Sequence, residues 1–385
     1  MIPRREFLRR ACVFTGLALC GSSASYARSA REAIQSAIAF LTAKQSADGA
    51  WRSNHYAAFR DGDTLTPLVL WALETAGDSP ASSAIARGRR WLERLTDKQA
   101  KLTEPWTNLR YPLFTSAYSA QFLAIVGDRG RASFWADMVE RLRIEEALGW
   151  LAEDPACGAW SDSPSPPVLP EGAHPVPDML APNVSATVLA LRALVATGRQ
   201  SRCPSAMPFL EQCQNYSPEA TNPFDDGGFF FAMDDPIRNK AGVAGTDAKK
   251  RLRFRSYGGA TCDGLIGLHA CGLSHDHPRR LATANWLKRN VRGMEHAGAW
   301  PASRGSAQES LAFYYAQALA EAMIIVPNED RPWATGQGNA LAHDVVRRQD
   351  DDGSWTGRTP DSCEDDPILA TAFAVRALAP PMLFG

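Results

Sequence analysis

Phe40-Leu41-Thr42-Ala43-Lys44-Gln45-Ser46-Ala47-Asp48-Gly49-Ala50-Trp51 is the stretch that decides the fold. An apolar helix end runs into a polar Gln, then a Gly-x-Trp turn. The second half recurs with identical spacing in Gln349-Asp350-Asp351-Asp352-Gly353-Ser354-Trp355. Looser copies lie between. Trp150-Leu151 leads to Gly158-x-Trp160, and Trp286-Leu287 leads to Gly298-x-Trp300. Phe209-Leu210 and Cys213-Gln214 lead to Gly227-Gly228-Phe229. Self-similarity of this kind is the signature of stacked supersecondary units.

Between the turns run six helices made of small and apolar residues with almost no charge. They are expected over 63–76, 115–126, 183–197, 261–271, 310–323 and 366–378. Ala186-Thr187-Val188-Leu189-Ala190-Leu191 is typical. A helix without a polar face is buried. Six more polar, amphipathic helices alternate with them, near 31–45, 84–95, 143–152, 204–214, 278–290 and 337–349. Six buried helices alternating with six surface helices predict two concentric rings, an all-α (α/α)6 toroid with an apolar inner ring. The last unit resembles the first, which favours closure over an open solenoid. No composition shift divides the chain, so 28–385 is expected as one toroid domain. Residues 161–182, with seven prolines, and 236–255, polar and basic, read as long loops.

The first 27 residues read as an address. Arg4-Arg5-Glu6-Phe7-Leu8 has a twin-arginine pattern, Ala11 to Cys20 is a short apolar stretch, and Ser25-Tyr26-Ala27 offers a small-x-small cleavage site. The expectation is export by the twin-arginine route to the periplasm, with no transmembrane anchor left after cleavage. A net charge of −1 gives no basic field for nucleic acid. Cys157, Cys203, Cys213, Cys262, Cys271 and Cys363 follow the cleavage site, an even number that permits disulfides. Cys262 and Cys271, on one helix, are separated by roughly 13 Å of rise and do not bridge each other.

Phe-Leu-xxx-Gln-xxx-Gly-x-Trp resembles the QW repeat of squalene–hopene cyclases, and the helical pairing is similar to that of protein prenyltransferase β subunits. The resemblance spans 31–380. It implies an apolar cavity within the inner ring and an apolar, isoprenoid-type substrate. In the cyclases an Asp-x-Asp-Asp motif opening an inner helix protonates an alkene or epoxide, and aromatic faces stabilise the cations. Asp61-Gly62-Asp63-Thr64 opens the first inner helix and resembles that motif, with Thr64 in place of the last Asp. Cys363-Glu364-Asp365-Asp366 opens the last, with Cys363 in place of the first Asp. The resemblance makes Asp63 or Asp365 the acid, with Asp61 and Asp366 beside them; helix N-capping is the alternative reading for all four. Asp263, inside a near-neutral inner helix, needs a partner or a raised pKa. Trp71, Tyr118, Tyr257, Tyr314 and Phe373 are the expected substrate-binding aromatics. No cofactor is required. A zinc alternative rests on Asp361-Ser362-Cys363, with the Asp-x-Cys spacing of the prenyltransferases, and His55. Two other functions stay open: an exported carbohydrate-active toroid (a polysaccharide lyase or hydrolase), which wants an open polar cleft, and a non-catalytic binding protein.

Overall fold

The computed structural model describes residues 21–77, 82–96, 109–172, 176–219, 222–233 and 235–379, with side chains from residue 29. Arg4, Arg5 and the stretch Ala11 to Cys20 lie outside the described residues. No described helix is long and apolar enough to cross a membrane.

The inner ring is built from α2 (Leu65–Ala76), α4 (Pro112–Ile125), α6 (Val184–Ala196), α8 (Gly258–Ala270), α11 (Ala312–Ile324) and α13 (Pro367–Leu378). Each packs against the next, and α13 packs back onto α2, so the ring closes. The outer layer holds α1 (Gly21–Lys44), α3 (Ser82–Arg94), α5 (Arg129–Arg141), a 3-10 segment Gln200–Ala206 running into α7 (Met207–Gln212), α9 (Pro278–Asn290) and α12 (Arg331–Arg347). A short helix α10 (Gly305–Glu309) precedes α11. The fold is the expected α/α toroid.

Two expectations are corrected. The third outer helix is α5, not 143–152, which is an extended segment bridging Trp160 and a single 3-10 turn, Glu146–Leu148. The basic loop 236–255 contains a small antiparallel hairpin, β1 (Val243–Thr246) with β2 (Leu252–Phe254).

The repeat works by stitching. Trp51 Nε1 donates to Leu41 O at the end of α1, and its backbone N–H donates to Thr66 Oγ1 on α2. Trp355 repeats both bonds, to Val345 O and Thr371 Oγ1. Gln45 Nε2 donates to Gly49 O in its own turn and to Ala84 O of the next outer helix. Gln214 does the same, to Gly227 O and Arg279 O. Gln349 bonds Gly353 O and Ala33 O. That last bond ties α12 to α1 and seals the outer layer. The turn glycines are held at positive φ with the neighbouring backbone close by. A Cβ on Gly49 would meet Arg87 O at 2.5 Å, and one on Gly353 would meet Ser36 O at 2.6 Å. Only glycine allows that approach.

Candidate functional site

The inner helices all begin at one end of the ring, and a cavity of about 370 Å³ opens among those beginnings. Every inner helix contributes wall: Leu68, Phe114 and Tyr118, Ser185, Ala260, Tyr314, then Leu369 and Phe373. Phe59, Tyr111, Phe231, Tyr257 and Leu311 complete an aromatic and aliphatic lining. The polar groups on it are Thr64, Asp162, Asn183, Lys240, Ser362 and Glu364. Of the five expected binding aromatics, Tyr118, Tyr257, Tyr314 and Phe373 line this cavity. Trp71 lies beneath, fully buried, with the Arg376 guanidinium over its ring.

Cys363 sits at φ 60, a left-handed turn that redirects the three acidic residues after it. Glu364 points inward and is 1% exposed. Its Oε2 accepts from Phe313 N at 2.9 Å and its Oε1 from Tyr314 N at 2.7 Å, at the start of α11. Burial raises its pKa to about 8, the two backbone N–H groups opposing that rise. Burial thus favours the protonated form of a carboxyl group that faces an apolar cavity.

The other acidic residues of the two motifs are held differently. Asp366 is the N-cap of α13, accepting from Ile368 N and Leu369 N. Asp365 is half-buried and accepts from Tyr56 Oη in a short hydrogen bond. Asp63 is buried, accepting from Thr64 N at 3.0 Å and Arg110 N at 2.9 Å, and burial raises its pKa. Asp61 is exposed, between Arg110 and Arg60. Ring closure makes α2 and α13 neighbours, but none of these four carboxylates is among the described lining residues.

Asp263 has the buried partner its position demands. Its Oδ2 accepts from Tyr314 Oη at 2.7 Å and Ser185 Oγ at 3.0 Å, and Arg192 lies 3.4 Å from Oδ1. Arg192 also sits 2.8 Å from Glu321, which pairs in turn with Arg376. The result is a fully buried, net-neutral chain Asp263–Arg192–Glu321–Arg376 across α8, α6, α11 and α13, flooring the cavity. Burial raises the Asp263 pKa and Arg192 opposes it. Tyr314, which lines the cavity, links that chain to the site. Arg192, Glu321 and Arg376 are absent from the sequence reading, although each is the lone charge in its inner helix.

Asp361 accepts from Ser306 Oγ in a short bond, and His55 is exposed. Among the described residues no three His, Cys, Asp or Glu side chains group to hold a metal. No disulfide joins the six described cysteines.

The fold and site define an α/α toroid with an apolar, aromatic cavity inside the ring. No family model and no curated protein sequence matches the chain. Solved structures do. The type II terpene cyclase MstE from Scytonema, in complex with its substrate geranylgeranyl dihydroxybenzoate, is similar with TM-score 0.55 and 14% identity over 92% of this chain and 97% of that one. A protein from Actinoplanes matches with TM-score 0.55 and 16% identity, covering 91% of this chain and 98% of that one. The GH76A α-1,6-mannanase of a Salegentibacter species matches with TM-score 0.53 and 9% identity, covering 91% and 99%. These likenesses concern the fold.

Proposed function

We propose that this protein is a terpene-cyclase-like enzyme that binds an isoprenoid-type substrate in the ring cavity and starts its cyclisation by proton transfer from Glu364. The observation that carries this reading is a buried carboxyl group on an aromatic wall, whose pKa burial raises. The proton adds to an alkene carbon, a carbon–carbon bond forms to the resulting cation, and a proton leaves from a neighbouring carbon to the carboxylate left on Glu364, which then exchanges with solvent. A carboxyl group with a pKa of about 8 is loaded at pH 7 but is a weak donor. The cation must therefore be stabilised elsewhere. The faces of Tyr118, Tyr257, Tyr314 and Phe373 supply that, each worth roughly 0.5–2 kcal/mol in a dry site. A glycoside-cleaving site would instead need two carboxylates flanking a sugar in a polar cleft; Asp162 and Glu364 both lie on this wall, but most of it is aromatic and aliphatic.

Incubation with isoprenoids of ten to twenty carbons in deuterated water tests the reading. The expected product is isomeric with the substrate and carries one solvent deuterium. Glu364→Gln is expected to bind the same substrate and form no product. A wild-type protein that binds isoprenoids without turning any over would be a binding protein on this fold. One that binds none would overturn the isoprenoid reading altogether.

A further inference from the structure

The hydroxyls of Tyr111, Tyr118 and Tyr257 aside, most polar side chains on the cavity wall have hydrogen-bond partners within the protein. Asn183 caps α6 through Ala186 N and donates to Asp162. Asp162 is also paired with Arg238 at 3.7 Å. Ser185 donates to Asp263. Thr64 shares a hydrogen bond with Thr115. Glu364 takes two backbone N–H groups. Lys240 differs. Its Nζ makes a single hydrogen bond, to Ser362 Oγ at 3.3 Å, and it forms no ion pair with a carboxylate among the described residues. A lysine ammonium has three donors, so two remain, at the edge of an apolar cavity. The carboxyl groups whose charges act on it are Asp361, which is exposed and bonded to Ser306, and Glu364, whose oxygens are taken up by two backbone N–H groups.

The placement of Lys240 is built. The preceding Asn239 is 1% exposed and uses all its capacity to fix the loop. Its Nδ2 donates to Ala232 O and Asp235 O, and its Oδ1 accepts from Phe231 N and Ala232 N. A loop pinned that firmly holds the next side chain against the cavity. An uncompensated ammonium kept in an apolar place costs stability unless a ligand supplies the counter-charge. Burial already pulls the Lys240 pKa down, as expected of an ammonium short of partners.

We infer that the ligand of this cavity is amphipathic, with an anionic oxygen head group, carboxylate or phosphate, held by Lys240 and Ser362 while its hydrocarbon tail fills the aromatic chamber. This rests on the isoprenoid reading above and narrows its substrate class.

The test is calorimetric binding of farnesoic acid, farnesyl monophosphate and farnesol to the full chain, wild type, Lys240→Met and Lys240→Gln. The wild type is expected to bind at least one of the two anions ten-fold or more tighter than the alcohol. Whichever anion is preferred identifies the head group. Both variants are expected to lose that preference while binding farnesol as before. Circular dichroism establishes that each variant is folded, and either variant suffices. Equal wild-type affinity for the acid, the phosphate and the alcohol overturns the head-group inference and leaves the isoprenoid reading standing. So does an anion preference that survives in a folded variant. If no farnesyl compound binds the folded wild type, the isoprenoid reading fails and the inference with it.

Discussion

At the scale of single residues, the three consecutive acids after Cys363 carry three different roles, and each is separable by substitution. Asp366 is a cap, so Asp366→Ala is expected to cost about 1 kcal/mol in urea unfolding, and Asp366→Asn only a few tenths. Asp63 is more constrained, because both its oxygens accept backbone N–H groups in a buried place. Asp63→Asn puts an amide NH2 against one of those donors and is expected to cost more than the Asn cap does. Glu364 is separable by its pH dependence. Its folded pKa, about 8, lies above its unfolded value near 4.5. The unfolded chain releases that proton first, so the contribution of Glu364 to stability is full below about pH 4.5 and declines as pH rises to about 8. Thermal unfolding of wild type and Glu364→Gln across pH 4–9 should show that decline in the wild type and its loss in the variant. Under the proposed function, kcat/KM should fall across the same upper limit. The sequence displayed all three acids but not which one turns inward. That depends on the left-handed backbone at Cys363, a non-glycine residue at which no sequence rule anticipates positive φ.

At the scale of elements, the Gly-x-Trp turn is a joint between neighbouring units, and its glycine is set by contact more than by conformation. Gly353 and Gly198 both have positive φ, at 88° and 78°. An added Cβ on Gly353 would meet Ser36 O at 2.6 Å, whereas one on Gly198 would meet nothing within 4 Å. Gly198→Ala is therefore expected to cost about 1 kcal/mol, the conformational penalty alone. Gly353→Ala is expected to cost roughly 3 kcal/mol or more, because α1 must move away from α12. Chemical denaturation of the two variants measures the difference, and equal losses would mean the close approach carries no weight. The inner helices were legible because an uncharged helix has one place to go. The misplaced outer helix has a definite cause. In the first and last copies the Trp side chain bonds a carbonyl ten residues back, at Leu41 and Val345. Trp160 bonds Val139, with residues 142–159 looped out between. Counting back the usual spacing from Trp160 therefore lands on the loop around Trp150. The partner threonines on the inner helices, Thr66, Thr187, Thr261 and Thr371, escaped the reading because their distance from the turn varies with the loop.

At the scale of the whole molecule, a closed ring must fill its own axis, and here the floor under the cavity is ionic. Asp263, Arg192, Glu321 and Arg376 are each at most 2% exposed and sum to no charge. Each comes from a different inner helix, so the chain of pairs spans most of the ring. Such a chain fixes how those helices are rotated and stacked, since a slip of one turn would strand a charge in an apolar interior. It does not follow that the pairs add stability. Removing two charges from water costs about what their attraction returns, and breaking one link is the expensive event. Glu321 is the central link, contacting Arg192 at 2.8 Å and bonding Arg376 as well. Glu321→Gln leaves Arg192 with Asp263 alone and Arg376 without its carboxylate partner, and is expected to lose about 3–5 kcal/mol. Replacing all four together, Asp263→Leu, Arg192→Met, Glu321→Leu and Arg376→Met, removes every charge at once and is expected to recover most of that loss. Urea unfolding of wild type, single and quadruple variants gives the comparison. If the quadruple variant is as unstable as Glu321→Gln or worse, the network stabilises the ring outright. If it recovers stability but loses a sharp thermal transition, the ion chain acts by selecting one arrangement of the six inner helices, and so of the cavity above it. Tyr314 would then lose its Asp263 partner at the cavity wall, and ligand binding should weaken in the quadruple variant even where stability returns.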